Sequence, residues 1–338
     1  MSALQQMIFA AAAKLQHLVV AHATTPFISA YSWVTSGFGA KFTNPSTLPA
    51  GDGKDVAFTS AGNAIAVVHA TTPFVSAYPW SGGGFGTKYA NPATLPSSLE
   101  SGAAFTVAGD AIAVGLSAYP WSVSGFGTKY ADPTTLPGGN VNSVAYSPAG
   151  NAIAVATSAG AYIAAYAWSG SGYGTKFANP ATVPTDLGEG VAFSPAGDAV
   201  AFAHNNAPGI SAYPWSGSGF GTKFADPATL PGGNGWSVAF SPAGNAIAVG
   251  SDGTPFISAY PWSGSGFGTK FSNPATLPGS AGTEVYGVAF TKASDAIAVS
   301  HNATPFVSAY PWSGSGFGTK FANPTTLPTG SGNGVAFN

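Results

Sequence analysis

A pair of aromatic residues separated by one position recurs along this chain at a near-constant interval, and no other feature restricts the fold so tightly. The pairs are Tyr31/Trp33, Tyr78/Trp80, Tyr119/Trp121, Tyr166/Trp168, Tyr213/Trp215, Tyr260/Trp262 and Tyr310/Trp312, spaced by 47, 41, 47, 47, 47 and 50 residues. A repeat of this length is one supersecondary unit that cannot bury its own apolar faces, so neighbouring copies must complete the core. Length alone suggests two domains for 338 residues, but the repeat predicts one domain of seven units.

Residues 238–278 show how a unit is built. Val238–Phe240 is a short apolar strand, followed by Ser-Pro-Ala-Gly-Asn, whose Pro and Gly supply the conformations of a reverse turn. Ala246–Val249 is the second strand. In the third, Phe256, Ser258 and Tyr260 alternate with Ile257, Ala259 and Pro261, which places the two sets on opposite faces of a sheet. Both sets are apolar enough to be covered, as expected of a blade held between two others. Thr269–Phe271 is the outermost strand, entered through SGSGFG and left through NPATLP. Lys41, Lys88, Lys129, Lys176, Lys223, Lys270 and Lys320 recur on it, where charge guards an open sheet edge against pairing with other chains. A ring that also contacts an anionic surface is the alternative.

VAFSPAG, then AIAV, then a strand ending in Trp resembles the WD-repeat family of propellers, and the resemblance covers residues 17–338. SPAG is similar to that family's SPDG turn, and each Trp stands where its Trp-Asp pair begins. Two departures matter. Ser or Val replaces the Asp after Trp, and no Gly-His pair precedes the first strand, so the family's Asp-His-Ser-Trp network does not carry over whole. The resemblance implies an all-β, seven-bladed β-propeller with four-stranded blades. The repeated SGSGFGTKFANPATLP also resembles repeats in proteins of marine tailed phages, which implies a virion location.

The repeat pattern begins at a second strand, Leu18–Ala21, and ends at a first strand, Val335–Phe337. Those ends complement each other, so Val335–Phe337 is expected to close the blade formed by Leu18–Ala21, Phe27–Trp33 and Ala40–Phe42. Residues 1–16 are then left outside the ring of residues 17–338. Leu4, Met7, Ile8 and Phe9, beside an Ala run, suit a helix that caps the ring or anchors it to a partner subunit, the alternative being a strand at Ile8–Ala12 that displaces the C-terminal one.

Composition narrows the function. Ten Lys without a single Arg remove the guanidinium fork that reads guanine edges and grips phosphates, so nucleic acid is not an expected partner. No apolar run reaches the roughly 18 residues of a membrane helix, and membrane insertion is not expected. Cysteine is absent, which excludes disulfides and thiolate chemistry. The Gly-rich SGSGFG turns join two strands, whereas a phosphate cradle leads into a helix, so no cofactor is expected from them. Their aromatics (Phe38, Phe85, Phe126, Tyr173, Phe220, Phe267 and Phe317) are expected to tuck between blades, although seven exposed rings could stack sugars.

Adjacent antiparallel strands alternate direction, so the first-to-second and third-to-fourth turns share one face, and the remaining loops share the other. The first face is uniform. On the second, the loops entering each first strand differ in length and chemistry, and such loops on a rigid scaffold carry binding residues. Glu100, Asp186, Glu189, Trp236, Glu284 and Tyr286 are the candidate binding residues, with Lys54, Asp55, Leu99 and Asn142 in the same loops. Trp236 and Tyr286 lie in neighbouring units and form a candidate contact pair. His22, His69, His204 and His301 end their second strands. Ring symmetry keeps them from converging on one metal, and each is read as a partner for the third-strand Trp. Unit three lacks the loop between its second and third strands, which predicts a notch beside Leu116.

The 12 acidic residues show no repeated nucleophile, base and orienting acid. A carboxylate pair across the channel mouth is the one hydrolytic arrangement they leave open. The expectation is therefore a non-enzymatic binding propeller, an exposed phage subunit attaching to a protein or recognising a host surface. The alternatives are a lectin-like propeller for a surface glycan and a recently amplified propeller without a ligand.

Overall fold

The alternation read in residues 238–278 becomes one antiparallel sheet. Its strands, from the axis outward, are a (Gly235–Phe240), b (Ala246–Ser251), c (Ile257–Ser263) and d (Gly266–Phe267). The computed structural model describes residues 16–96 and 100–338, and within them seven such four-stranded sheets form the blades of a β-propeller. Blades are numbered by the order of their Tyr/Trp pairs, so the sheet just given is blade 6. Leu4, Met7, Ile8 and Phe9, like Leu99, lie outside the described residues.

Blade 1 is closed as expected. Gly332–Phe337 forms its strand a and pairs with Gln16–His22, with Leu18 opposite Phe337 and Val20 opposite Val335. In the other blades a Ser or Thr after strand a caps the start of strand b, as when the Ala64 N–H donates to Thr59 Oγ1 at 3.2 Å. Asn338 takes that role in blade 1, where its Oδ1 accepts from the His17 N–H at 2.8 Å. Its carboxamide and the Trp80 indole of blade 2 both donate to His17 Nδ1, at 2.9 and 3.3 Å.

The core lies between blades, and each Trp is its hub. Trp262 is met edge-on by Phe240 of its own strand a, Phe267 of its own c-to-d turn and Phe224 of blade 5, at centroid separations of 5.1, 5.2 and 5.4 Å. Edge-to-face pairs of this kind contribute about 0.5–1.5 kcal/mol each beyond the area they bury. The turn aromatics are therefore interblade core, which removes the ring of exposed sugar-stacking platforms. The Tyr two residues before each Trp is fully buried, and six of the seven donate their hydroxyl to a Thr carbonyl that precedes the blade, as Tyr260 does to Thr229 at 2.9 Å.

Three local expectations are corrected. Strand d of blade 6 pairs at Gly266–Phe267, and beyond it the chain meets strand c through single bonds, from the Gly268 N–H to the Pro261 carbonyl at 2.8 Å and from the Phe271 N–H to the Ala259 carbonyl at 2.9 Å. The Lys that follows folds back on an Asn or Asp three residues on, as Lys129 does to Asp132 at 2.6 Å with only 12% of its side chain exposed. The rim lysines are thus held by their own turns, five by an Asn amide oxygen and two, Lys129 and Lys223, by an Asp carboxylate. The histidines at the end of strand b do not bond Trp, because register places the Trp at the far end of strand c. Each of the four instead pairs through Nε2 with a strand c Ser (Ser29, Ser76, Ser211 or Ser308) at 3.0 Å. Burial lowers the pKa of His22, His69 and His301 to about 4, so these rings are neutral near pH 7.

Candidate axial site

Strand a of six blades carries the same irregularity. Its register against strand b slips by one residue just before the end facing the variable loops, at Lys54, Asn142, Glu189, Trp236, Tyr286 and Asn333. A bulge of this kind re-aims a side chain. Strand a is the innermost strand, so the re-aimed residues surround the axis. Together with Ser101, which occupies the same position in blade 3, they line one cavity of about 530 Å³ at the mouth of the channel.

Each of these positions lies four residues before the aromatic that ends strand a. The units are near-identical around it, yet the position holds Lys, Ser, Asn, Glu, Trp, Tyr and Asn in blades 2 to 7 and 1. A symmetric ring therefore builds an asymmetric site. The next residue along is small in most blades because neighbouring inner strands nearly touch. A Cβ added to Gly334 would stand 2.8 Å from the Asp55 Cα, and one on Gly190 2.9 Å from the Ser237 Cα.

Of the six candidates, Glu189, Trp236 and Tyr286 lie on this ring. The Trp236 and Tyr286 rings meet edge to face at 5.4 Å and form one wall. Glu284 stands behind that wall, accepting from the Tyr286 hydroxyl and, at 3.4 Å, from Asn302 Nδ2. Asp186 is not on the ring. It braces its own loop, accepting from the Leu187 N–H at 2.7 Å and Asn206 Nδ2 at 2.6 Å.

Glu100 also lies away from the ring, and it explains the notch. Its carboxylate is 7% exposed and occupies the space of the missing loop of blade 3, accepting from the Leu116 N–H at 2.9 Å. A Cβ on Gly115 would lie 2.1 Å from its Oε2. Burial pushes its pKa up to about 7. The notch is thus filled from within. Ser101 and Asn333 escaped the sequence reading. Counting four residues back from the strand a aromatic in every unit would have found both.

Two acids with raised pKa values border the channel, and their surroundings separate their roles. Asp55 is enclosed by protein, which pushes it up to about 6, and both its oxygens are taken by main-chain N–H groups, Val56 at 2.8 Å and Ala103 of blade 3 at 2.9 Å. It ties two blades together. Glu189 is pushed up to about 7 by burial, with nearby Asp186 acting in the same direction, and only side-chain amides hold it. Asn142 Nδ2 donates to one oxygen at 3.2 Å and Asn205 Nδ2 to the other at 3.4 Å. Glu189 keeps free lone pairs and the pKa of an effective acid or base near neutrality. Lys54 lines the same cavity three blades away, paired loosely with Asp52 at 3.9 Å. Among the described residues no group of three or more His, Asp or Glu is arranged to hold a metal.

A family model for the WD domain, G-beta repeat, matches residues 228–257. No curated protein matches the sequence. Solved propellers align over nearly the whole ring. The periplasmic gluconolactonase of Pseudomonas aeruginosa has a TM-score of 0.71 and 13% identity, covering 96% of this chain and 99% of its own. A Bacteroides fragilis protein provisionally named a 6-phosphogluconolactonase has a TM-score of 0.73 and 10% identity, covering 97% and 99%. A functionally unknown protein from Desulfotomaculum acetoxidans has a TM-score of 0.68 and 15% identity, covering 95% and 98%. At these identities the likeness shows the fold alone.

Neighbours that bear lactonase names share this fold, which corrects the expectation of a non-enzymatic phage subunit: the architecture does not exclude catalysis. That expectation sought a catalytic pattern repeated within a unit. A ring that contributes one axial residue per blade produces no such pattern, so its absence excludes nothing. The chain is a WD-repeat-like seven-bladed β-propeller.

Proposed function

We propose that the axial cavity hydrolyses a small cyclic ester of a polyhydroxy acid, with Glu189 as its general base. The observation that carries this reading is a half-buried carboxyl with a pKa of about 7 on the channel ring, held by amides, in a cavity that Lys54 also lines. The names of the structural neighbours supply the substrate class. A cavity of about 530 Å³ suits a single sugar-sized ring. With Lys54 as the ring's only cation and no Arg in the chain, a neutral lactone fits better than a phosphorylated one.

The chemistry balances with the residues present. The Glu189 carboxylate takes a proton from water as the oxygen attacks the ester carbonyl. The Lys54 ammonium and the Asn142 and Asn333 amides offer donors to the oxyanion. Collapse breaks the ring C–O bond, and the Glu189 proton passes to the departing oxygen, giving the open hydroxy acid. The Trp236–Tyr286 wall offers the apolar face of the sugar a surface.

Hydrolysis of D-glucono-δ-lactone should exceed the buffer rate, with kcat/KM rising with pH and levelling above about 7 as Glu189 ionises. Glu189→Gln should lower kcat by about 100-fold or more. A wild-type rate equal to that of buffer overturns the proposal.

A further inference from the structure

We infer that Asp186 and Asn205 are a pair of positioning residues for Glu189: Asp186 takes over a main-chain contact that the counterpart of Asn205 makes in other blades, and Asn205, so released, holds the carboxylate. The inference rests on the reading of Glu189 as general base. Its starting point is a brace repeated around the channel mouth. The residue after strand b donates its N–H to the carbonyl of the residue just before strand a: Ser158 to Asn140 at 3.0 Å, Asn205 to Leu187 at 3.0 Å, Asp252 to Asn234 at 3.2 Å and Asn302 to Glu284 at 3.2 Å. In blades 4, 6 and 7 the side chain completes the brace. Ser158 Oγ, Asp252 Oδ1 and Asn302 Oδ1 accept from the N–H groups of Asn140, Asn234 and Glu284, at 2.9, 2.8 and 2.9 Å.

Blade 5 breaks the pattern. There the Leu187 N–H donates to Asp186 Oδ1 at 2.7 Å, and Asn205 turns its Nδ2 to Glu189 Oε1 at 3.4 Å. The Asn205 Oδ1, whose counterpart in blade 7 serves the main chain, is buried without a hydrogen-bond partner. A buried acceptor left unpaired carries a penalty, so this orientation of the amide stands only because other contacts select it. Asp186 occupies the donor that would draw the amide back, and the charged oxygen of Glu189 rewards the turn. The backbone does not demand an Asp at 186. Gly330, Gly51, Gly139 and Gly233 stand at that position in blades 1, 2, 4 and 6.

The surrounding contacts hold this arrangement in place. His204 Nδ1 donates to the Asn205 carbonyl at 3.0 Å, and Asn206 Nδ2 donates to the second oxygen of Asp186 at 2.6 Å. From the neighbouring blade Asn142 Nδ2 donates to Glu189 Oε2 at 3.2 Å, so each carboxylate oxygen has its own amide and the plane of the group is set from two sides. A base that must meet a water and an ester carbonyl together gains from a fixed plane. The charged and titratable groups around Glu189 are Asp186, His204, whose pKa burial lowers, and Lys54 and Tyr286 in the cavity lining. Donation from Asn205 favours the ionised carboxylate, against burial and Asp186.

Asn205→Ala, Asp186→Gly and the double variant test the pair. Both changes install residues that other blades already carry at these positions, Ala23 and Ala70 for the first and the four glycines for the second, so neither is foreign to the fold. Each single variant should lower kcat for D-glucono-δ-lactone by about tenfold with KM held within about twofold, and the double variant should fall no further than either alone. Carbon-13 NMR of the Glu189 carboxyl, recorded without substrate, should place its ionisation about one pH unit higher in Asn205→Ala than in wild type. Asp186→Gly should lower that midpoint more in the Asn205→Ala background than in wild type, where loss of the Asp186 charge is offset by loss of the Asn205 contact. An unmoved midpoint in Asn205→Ala, or equal displacement by Asp186→Gly in both backgrounds, overturns the inference, as do additive losses in kcat. The titrations need no turnover. A wild-type protein that leaves the lactone intact therefore overturns the assignment of Glu189 as a base, while the midpoints still decide whether Asp186 and Asn205 act on it together.

Discussion

Removing residues 334–338 should lower the melting temperature by more than about 10 °C or abolish the cooperative transition. The deletion uncovers strand b of blade 1, whose Leu18, Val19, Val20 and Ala21 are fully buried in the closed ring. It removes Val335 from the core and Phe337 from its place 4.9 Å from Trp33. It also strips His17 of its partner Asn338. Each buried apolar side chain contributes about 1.5–3 kcal/mol, and each buried polar group left unpaired costs about 1–3 kcal/mol. Against a total stability of about 5–15 kcal/mol the loss is decisive. Asn338→Ala should cost only the capping part, about 1–3 kcal/mol. Thermal denaturation checks both, and a truncated chain that melts with the full chain would show that the ring does not depend on this closure.

Glu100→Gln should make the protein more stable than wild type at pH 8.5 and change it little at pH 5. The folded-state pKa of Glu100 is raised from 4.5 to about 7 by burial, so the native state holds this proton more tightly than the unfolded chain. Stability from such a group is complete below 4.5 and is lost as pH rises through 7. A shift of that size corresponds to up to about 3 kcal/mol. Gln retains an oxygen to accept the Leu116 N–H and carries no charge to desolvate. His22, His69 and His301, held down to about 4, act in the opposite sense, losing stability as pH falls from 6.5 toward 4. The difference between variant and wild type therefore isolates Glu100, where the pH curve of either alone would not. Parallel melting curves from pH 5 to 8.5 would place the ionisation elsewhere.

Much of the ring was legible without coordinates because the information is local. Alternation in FISAYPW sets two sheet faces, SPAG and SGSG set the turns, and the Tyr/Trp spacing counts the blades. Closure was legible because an unpaired strand a and an unpaired strand b can stand only beside each other. The partners of individual polar groups were less so. Family likeness pointed the histidines at Trp, but strand register decides which end of strand c they face, and they meet Ser29, Ser76, Ser211 and Ser308. Lysines that read as solvent-facing edge guards lie folded onto their turns.

By itself the sequence determined an all-β propeller of seven units, the strand that closes it and the face on which the units diverge. Only the tertiary structure decided which divergent residues meet. Loop composition ranked Asp186 and Glu100 with Glu189, yet one braces a loop and one fills a notch. The axial site depends on a bulge that turns one residue per blade inward, and on ring closure that brings residues some 47 positions apart to a common axis. Neighbours in that ring are neighbours only because a sheet's twist and its stacking curve seven equivalent units back on themselves, a property of the assembled blades that no single unit contains.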